Sequence, residues 1–331
     1  MFFSGVYVLA EDPWVLAVAD NSLSAASQQA RAIGRKPHFL VFRTWYGGDL
    51  QGGLAALRIL ARARFPRVTW MCNAPAEVRM LRALGQHAIF CHHNLFCSER
   101  VFDIANCPIE YDAIYIARLD PYKRIWLARD ISRLRIVTAN PNDSHRLRDW
   151  GCSHATINKQ FMEYDAIAQE INKARCGLAL SQREGGMLAT TEYLLCGKPV
   201  VTTPSLGGRE YWLDQRNSMT VSTRSCQIAE AVALIGSSSF DPHAIRAETI
   251  SRLKTQRRVL FEYVMQLADK TRFDSLEQMD ADSLYYQFVF QKDIGRVLAG
   301  NESHGTLPTP DAHKPVHITS DSRRSSCDLK H

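Results

Sequence analysis

The chain has 331 residues, of which 46% are hydrophobic and 22% are charged, and its formal net charge is +6. This length exceeds the roughly 100 to 200 residues of a typical single domain, and the composition excludes a largely disordered protein, so we expect two domains with separate cores. The mildly basic charge suits phosphate-bearing ligands or an anionic membrane surface, but it does not by itself select a class of partner.

Nine cysteines are scattered along the chain. An odd, dispersed set is typical of free thiols in a reducing compartment. The first residues, "MFFSGVYVLAEDP", have no basic start and reach acids and a proline after ten residues, so neither a secretory signal nor a membrane span is predicted. We therefore expect a cytoplasmic protein, and contact with the inner membrane surface stays open.

The first third of the chain alternates apolar, β-rich runs with helical periods, which is the pattern of βαβ units and a parallel sheet. Strands are predicted over residues 14–20, 38–44, 67–73 and 87–93. Helices are predicted over residues 22–34, 54–65 and 75–85, where serine or proline starts and glycine ends support two of the three. These elements predict a first Rossmann-like domain, placed at residues 1–106.

Residues 94–110 follow neither period and contain a proline, so we place the crossing between the two domains there. The alternation then resumes, with strands predicted over residues 111–119, 134–140, 176–181 and 199–203. Helices are predicted over residues 123–131, 143–151, 163–174 and 187–197. A second Rossmann-like domain is therefore predicted over residues 107–274.

Two long helical patterns follow, over residues 241–270 and 275–300. The segment 301–331 is polar and contains three prolines, so it is predicted to be a disordered tail. The expected fold is α/β: two tandem, doubly wound parallel-sheet domains that face a cleft, with C-terminal helices packed against them.

Chemistry is expected in the loops that leave the carboxyl ends of the strands, because open parallel sheets bind their ligands there. Three such loops of the second domain are unusual: "ARLDPYKR" with Arg118 and Lys123, "SQREGGM" with Glu184, and "TPSLGGRE". Glu192 follows Glu184 by eight positions and lies about one and a half turns into the next predicted helix. For these four side chains the plain alternatives are solvated acids and surface ion pairs.

These residue types together fit a phosphate-bearing ligand. Gly185 and Gly186 permit close approach of the backbone, and a helix that starts near Met187 directs N–H groups and its positive dipole end into the cleft. The carboxylate of Glu192 can accept hydrogen bonds from both hydroxyls of a ribose. An arginine and a lysine can bind a diphosphate and stabilise it as a leaving group.

The segments "YDAIYIARLDPYKR" and "LALSQREGGMLATTEYLLCGKPVVTTPSLGGREYW" together resemble the C-terminal, donor-binding domain of GT-B glycosyltransferases of family 4, the group 1 family. The resemblance covers roughly residues 111–222 and includes the family's two glutamates separated by seven residues. It implies that Arg118 and Lys123 bind the diphosphate of a nucleotide sugar and that Glu192 binds the ribose. The donor sugar is assigned to Glu184 and to the backbone of Gly185, Gly186, Met187 and Leu188.

The resemblance also implies a retaining transfer that needs no metal and no cofactor, with Arg118, Lys123 and Glu184 as the catalytic residues. The expected partners are a nucleotide sugar and a glycan or lipid-linked acceptor, and no nucleic acid. Oligomeric state stays open. Two other functions also stay open: a non-catalytic GT-B module that binds a nucleotide sugar, and a GT-B epimerase or phosphorylase.

The first domain is shorter than the family's usual acceptor domain. Its candidate acceptor residues, all at predicted strand ends, are His92, His93 and the loop "TWYGGD" at residues 44–49, above all Tyr46 and Gly47. Backbone groups could instead satisfy the two histidines, and nearby Cys91 and Cys97 raise the alternative of a metal site, although zinc sites show tighter spacing. Turn chemistry accounts for the glycines of the loop "WYGGDLQGG" equally well. The basic run at residues 252–258 is interpreted as the solvent face of a helix, with a membrane-surface role as the alternative.

Overall fold

The computed structural model describes residues 6–238, 240–269, 288–289 and 298. The strands in these residues are β1 (Val6–Glu11), β2 (Trp14–Ala19), β3 (His38–Phe42), β4 (Val68–Cys72), β5 (Ala88–Phe90), β6 (Tyr111–Ile116), β7 (Leu134–Val137), β8 (Thr156–Ile157), β9 (Ala174–Ala179), β10 (Val200–Thr202), β11 (Ser218–Thr220) and β12 (Phe288–Val289). The α-helices are α1 (Leu23–Ala32), α2 (Leu50–Arg62), α3 (Pro75–Ala83), α4 (Arg146–Asp149), α5 (Tyr164–Asn172), α6 (Leu188–Leu195), α7 (Ser225–Ser237) and α8 (Pro242–Leu267). Two six-stranded sheets result.

The first sheet has the order β12-β1-β2-β3-β4-β5. Strands β2 to β5 are parallel, whereas β1 and β12 run antiparallel to their neighbours. Because the parallel strands follow chain order and crossovers share one hand, α1, α2 and α3 lie on the same face. Leu23 of α1, Ala56 of α2 and Val78 of α3 accordingly belong to one core cluster. The opposite face packs against Leu260 and Val264 of α8.

The second sheet is parallel throughout, with the order β11-β10-β9-β6-β7-β8. Its first strand in the chain, β6, lies in the middle, so the direction of winding reverses between β6 and β9. This arrangement is the topological switch point at which doubly wound sheets bind ligands. The loops after β6 and β9 therefore meet at the edge of the sheet where a ligand is expected to bind.

Helix α8 joins the two units. Its first half packs into the core of the second unit through Ile245 and Leu253, and its second half packs into the first. The buried guanidinium of Arg257 donates to the backbone oxygens of Leu95 and Cys97 and forms a bidentate pair with Glu99, at 2.7 Å for both contacts. These bonds anchor the crossing segment to the helix.

Most predicted elements occur where the sequence places them, but several differ. The helix predicted over residues 123–131 is two 3-10 turns, Pro121–Lys123 and Ile125–Ala128, separated by Arg124 in the left-handed region. The prediction of a helix over residues 275–300 is wrong at residues 288–289, which form β12 and pair with β1. Apart from Leu298, the rest of that segment and the tail predicted to be disordered lie outside the described residues. The sequence analysis did not predict β1, β8, β11 and α7.

Candidate active site in the cleft

A cavity of about 430 Å³ lies at the switch point of the second sheet. All four side chains singled out in the sequence, Arg118, Lys123, Glu184 and Glu192, line it. The loop after β6 supplies the two cations, the loop after β9 supplies Glu184, and α6 supplies Glu192. The structure therefore brings together four groups from three separate stretches of chain.

Lys123 and Glu184 form an ion pair inside this cavity. The lysine ends a 3-10 turn whose shape is fixed by Tyr115, because the buried Tyr115 hydroxyl donates to the Lys123 carbonyl at 2.7 Å. The side chains of the pair are only 11% and 8% exposed. Little water reaches them, so their attraction is screened far less than that of a surface pair.

Arg118 differs from Lys123 in its surroundings. Its side chain is 56% exposed, donates to the Tyr122 hydroxyl at 2.6 Å and lies 3.3 Å from the Asp120 carboxylate. Such a guanidinium can turn toward a charged ligand without leaving a buried partner unsatisfied. Arg118 is the exposed cation of the cavity, whereas Lys123 is held in a buried ion pair.

Glu192 is buried in the middle of α6, one turn after its start. Burial raises the pKa of its carboxyl group above the ordinary value. The helix starts after Met187, whose φ of 50° is unusual for a residue with a side chain. Met187, Leu188 and Ala189 all line the cavity, so the first turn of α6 and its N–H groups face the same space as the cations.

The two glycines before α6 pack against the first unit. A Cβ atom on Gly185 would lie 2.7 Å from the backbone oxygen of Thr44, and one on Gly186 would lie 2.5 Å from both Asn94 Oδ1 and His92 Cε1. The sequence analysis explained these glycines by close approach to a ligand. Gly185 does line the cavity, but the structure shows that both glycines are also required by the contact between the two units.

Asn94 holds that contact together. It is completely buried, and its amide nitrogen donates to the oxygens of Gly186 and Met187 and to Thr191 Oγ1, at 3.1, 3.3 and 2.6 Å. A residue of the first unit therefore fixes the start of α6 in the second. Nothing in its sequence context marks it, because its partners lie more than 90 positions away.

The two histidines have different environments. His92 is completely buried, with Nε2 3.0 Å from the Gly208 carbonyl and Nδ1 accepting from the Asn94 N–H, and burial lowers its pKa well below the ordinary value. His93 lines the cavity, and its Nδ1 lies 3.0 Å from the Arg43 carbonyl. Because a carbonyl only accepts, Nδ1 carries the proton and Nε2 of the neutral ring is an acceptor. Burial lowers the pKa of His93 too.

The first unit also contributes to the cavity Asn21, which the sequence analysis missed, and Thr44 and Trp45 of the candidate loop 44–49. They follow β2 and β3, so their position at strand ends was the available signal. Trp45 meets Tyr122 of the second unit edge to face, with 5.0 Å between ring centroids. Tyr46 and Gly47, which the sequence analysis predicted as acceptor residues, do not line this cavity. Tyr46 is buried, and the Gly47 N–H donates to the Glu77 carboxylate at 2.8 Å.

A wider groove of about 760 Å³ lies between residues 214–217 and the first turns of α8. It lies away from the strand ends of the switch point, and none of the four predicted side chains contributes to it. Within the described residues, no three or more histidine, cysteine or acidic side chains are grouped so that they could hold a metal ion. No helix in the same residues is both long and apolar enough to cross a membrane.

Comparison with known proteins agrees with this geometry. Residues 113–236 match the family model described as "Glycosyl transferases group 1", and no curated protein sequence matches the chain. TarM is 12% identical over 76% of this chain and 54% of its own, with a TM-score of 0.55. Anabaena HepE, solved with UDP and glucose, is 14% identical over 75% of this chain and 77% of its own, with a TM-score of 0.54. A UDP-forming trehalose-phosphate synthase from Burkholderia vietnamiensis is 12% identical over 77% and 74%, also at 0.54.

This chain thus spans about half the length of TarM. At such low identity the structural likeness establishes the fold alone. The family match covers the segment that contains the four charged side chains of the cavity, which are Arg118, Lys123, Glu184 and Glu192. Residues 113–236 therefore resemble the glycosyl transferases group 1 family, and the chain has the GT-B fold of glycosyltransferases.

Proposed function

We propose that this protein is a retaining, metal-independent glycosyltransferase that moves a sugar from a nucleoside-diphosphate sugar to an acceptor hydroxyl in glycan or glycolipid synthesis. One observation carries the proposal: two cations and two carboxylates converge on a single cavity at the switch point of the second sheet. The HepE structure contains UDP and glucose, and the pneumococcal O-GlcNAc transferase GtfA was solved with UDP and GlcNAc. Those ligands support a nucleotide sugar as the donor.

Each group has a role that its surroundings support. Glu192, buried beside the start of α6, accepts from the two ribose hydroxyls of the donor. Arg118 and Lys123 bind the diphosphate, together with the N–H groups of the first turn of α6. Glu184 and the backbone of residues 185–188 face the donor sugar.

The chemistry follows from this placement. The bond between the anomeric carbon and the diphosphate oxygen breaks, and the departing oxygen gains negative charge next to the two cations. Stabilisation of that charge in a largely water-excluded site is the main contribution of the protein to the rate. The sugar passes through an oxocarbenium-like state, and the acceptor oxygen bonds to the same carbon.

The acceptor enters from the first unit. Asn21, Thr44, Trp45 and His93 form the first unit's side of the cavity. The neutral His93 ring presents Nε2 as a hydrogen-bond acceptor, which suits the orientation of an acceptor hydroxyl. The donor and acceptor sides belong to different units, so the packing of the two units sets the distance between the reacting atoms.

The test compares two arginines that are alike except in position. Arg118 and Arg129 are both more than half exposed, and each lies within 4 Å of an acidic neighbour, but only Arg118 lines the cavity. Purified protein is incubated with a panel of nucleotide sugars, and slow donor hydrolysis without acceptor is measured. R118A should lose most of this hydrolysis, and R129A should keep it.

Equal activity in the two variants would refute the site. Tight nucleotide binding without any turnover in the unmodified protein would instead identify a non-catalytic binding module. Analysis of the product separates transfer and hydrolysis from epimerisation or phosphorolysis, and its anomeric configuration tests retention. We place the reaction in the cytoplasm, with the acceptor at or near the inner membrane surface.

A further inference from the structure

Positive charge is concentrated in one stretch of the first unit. Between residues 21 and 76 the chain has eight arginine or lysine residues and a single acid, Asp49, which gives a formal charge of +7. The whole chain carries +6, so the remaining residues sum to −1. Asp49 is itself occupied: it caps α2 and pairs with Arg183 at 2.7 Å.

Seven of the eight basic side chains are exposed, and only Arg43 is buried. The exposed ones are Arg31, Arg35, Lys36, Arg58, Arg62, Arg64 and Arg67. They converge because the ends of α1 and α2 are tied together. The Arg31 guanidinium and the Ser27 hydroxyl both donate to the carbonyl of Ala63, at 2.7 and 3.0 Å.

The same region exposes large apolar side chains. Leu50 is 60% exposed and Leu54 is 40% exposed. At 100° per residue, both lie on one side of α2, next to Arg58 and Arg62, and opposite the buried Ala56 and Leu60. The exposed face of the helix is therefore part leucine and part arginine, with no acid.

The turn after α2 adds an aromatic side chain. Phe65 is 73% exposed, and both Arg64 and Phe65 have positive φ values, 59° and 51°. Glycine would be the ordinary choice at such positions. The positive φ values end α2, where the Phe65 N–H donates to the Leu60 carbonyl at 2.9 Å, but the phenylalanine ring itself is left mostly in solvent beside an arginine, which directs attention to a partner outside the unit.

We propose that this surface, defined by Leu50, Leu54, Arg58, Arg62, Arg64 and Phe65, binds an anionic lipid bilayer. Arginines attract the lipid headgroups, and leucine and phenylalanine side chains at the two ends of α2 enter the boundary between headgroups and acyl chains. A nucleic acid would satisfy the charges but would leave Leu50 and Leu54 largely in water. The surface is separate from residues 252–258, for which the sequence raised a membrane role.

The position of the surface relative to the cleft is favourable. Leu50 directly follows Asp49, the residue that pairs with Arg183 of the loop after β9. A bilayer bound to α2 would therefore lie close to the mouth of the cleft on the acceptor side. The inference does not depend on the proposed transfer, because lipid binding needs no nucleotide sugar.

The experiment is sedimentation of the full chain with vesicles of phosphatidylcholine, with and without 30% phosphatidylglycerol as a probe. Binding should require phosphatidylglycerol and weaken as salt increases. Because each basic residue at the surface contributes about fivefold to binding, R58Q/R62Q/R64Q should bind on the order of 100 times more weakly. R58K/R62K/R64K, which keeps the charge, should bind like the unmodified protein. L54S/F65S should lose about tenfold or more, because apolar area is removed without any charge.

Matched controls use other exposed positions. K254Q/R258Q on α8 and L234S on α7 change equally exposed side chains outside the surface and should leave binding intact. The proposal is overturned if the unmodified protein ignores phosphatidylglycerol vesicles at low salt, if the arginine variant binds them normally, if L54S/F65S is unaffected, or if a single-stranded oligonucleotide competes fully for the same residues. Donor hydrolysis in solution, without vesicles, should be unchanged in all of these variants, so failure here is distinct from failure of the proposed enzyme.

Discussion

Replacement of Glu192 by glutamine tests two effects of its buried charge: the gain in donor affinity and the cost to the stability of the fold. If the carboxylate accepts from two ribose hydroxyls, the two charge-assisted bonds contribute about 1.5 to 3 kcal/mol each, against about 0.5 to 1.5 for neutral ones. The variant should therefore lose about 2 to 3 kcal/mol of donor affinity, which is on the order of 100-fold. Hydrolysis of the donor at subsaturating concentration should fall by a similar factor.

The same variant should lose donor affinity without losing stability. Burial raises the pKa of the Glu192 carboxyl above its ordinary value of 4.5, so the folded state binds this proton more tightly than the unfolded state does. Its contribution to the free energy of unfolding therefore falls as the pH rises through the raised pKa. Glutamine carries no charge, so E192Q should remove this loss and be at least as stable as the unmodified protein at pH 7.

The assays are isothermal titration with the nucleoside diphosphate of the donor that the unmodified protein hydrolyses, and urea denaturation at pH 4.5 and pH 7. E192Q should bind this nucleoside diphosphate about 100 times more weakly and should show a smaller fall in stability between the two pH values than the unmodified protein. Unchanged affinity for the nucleoside diphosphate would refute the ribose assignment. A variant several kcal/mol less stable at pH 7 would refute the account of the buried charge.

Three further predictions concern other contacts. K123A should lower the free energy of unfolding by about 3 kcal/mol, because it leaves Glu184 buried without its cation, and should abolish donor hydrolysis. G186A should cost about 1 to 3 kcal/mol, since the new methyl group meets buried first-unit side chains at 2.5 Å. Hydrogen bonds from Arg216 hold the pKa of Asp214 well below its ordinary value, so D214N should cost about 2 kcal/mol at pH 7 and less at pH 2, where the carboxyl group of the unfolded chain is already protonated but that of the folded chain is not.

Each of these has a control measured by urea denaturation. K123A/E184A should regain part of the lost stability but none of the hydrolysis, and recovery of hydrolysis would contradict the catalytic assignment. G236A on α7 meets only the flexible end of Arg175 and should be neutral or stabilising by about 0.5 to 1 kcal/mol. If G186A is equally harmless, the contact between the units is not as close as described. A D214N variant equally destabilised at pH 2 and pH 7 would show that its effect is not electrostatic.

Much of the fold follows from local patterns. The alternation of apolar runs and helical periods locates β2 to β7, β9 and β10, because strand and helix periods are set by neighbouring residues. Short edge strands such as β8 and β11 have two or three residues and give no such signal. Local patterns also fail at Arg124. Its left-handed backbone divides a segment that has the composition of a helix into two short 3-10 turns.

The sequence by itself determined which side chains to consider: two cations and two acids in loops at the carboxyl ends of predicted parallel strands. Only the tertiary structure decided how they are used, because their geometry depends on contacts between residues far apart in the chain. Asn94 fixes the start of α6 from more than 90 positions away, and Gly186 packs against the other unit rather than only against a ligand. His92 and His93 are neighbours of the same type, yet one is buried against Gly208 and the other lines the cavity, since His92 is the extended residue before a 3-10 helix that begins at His93.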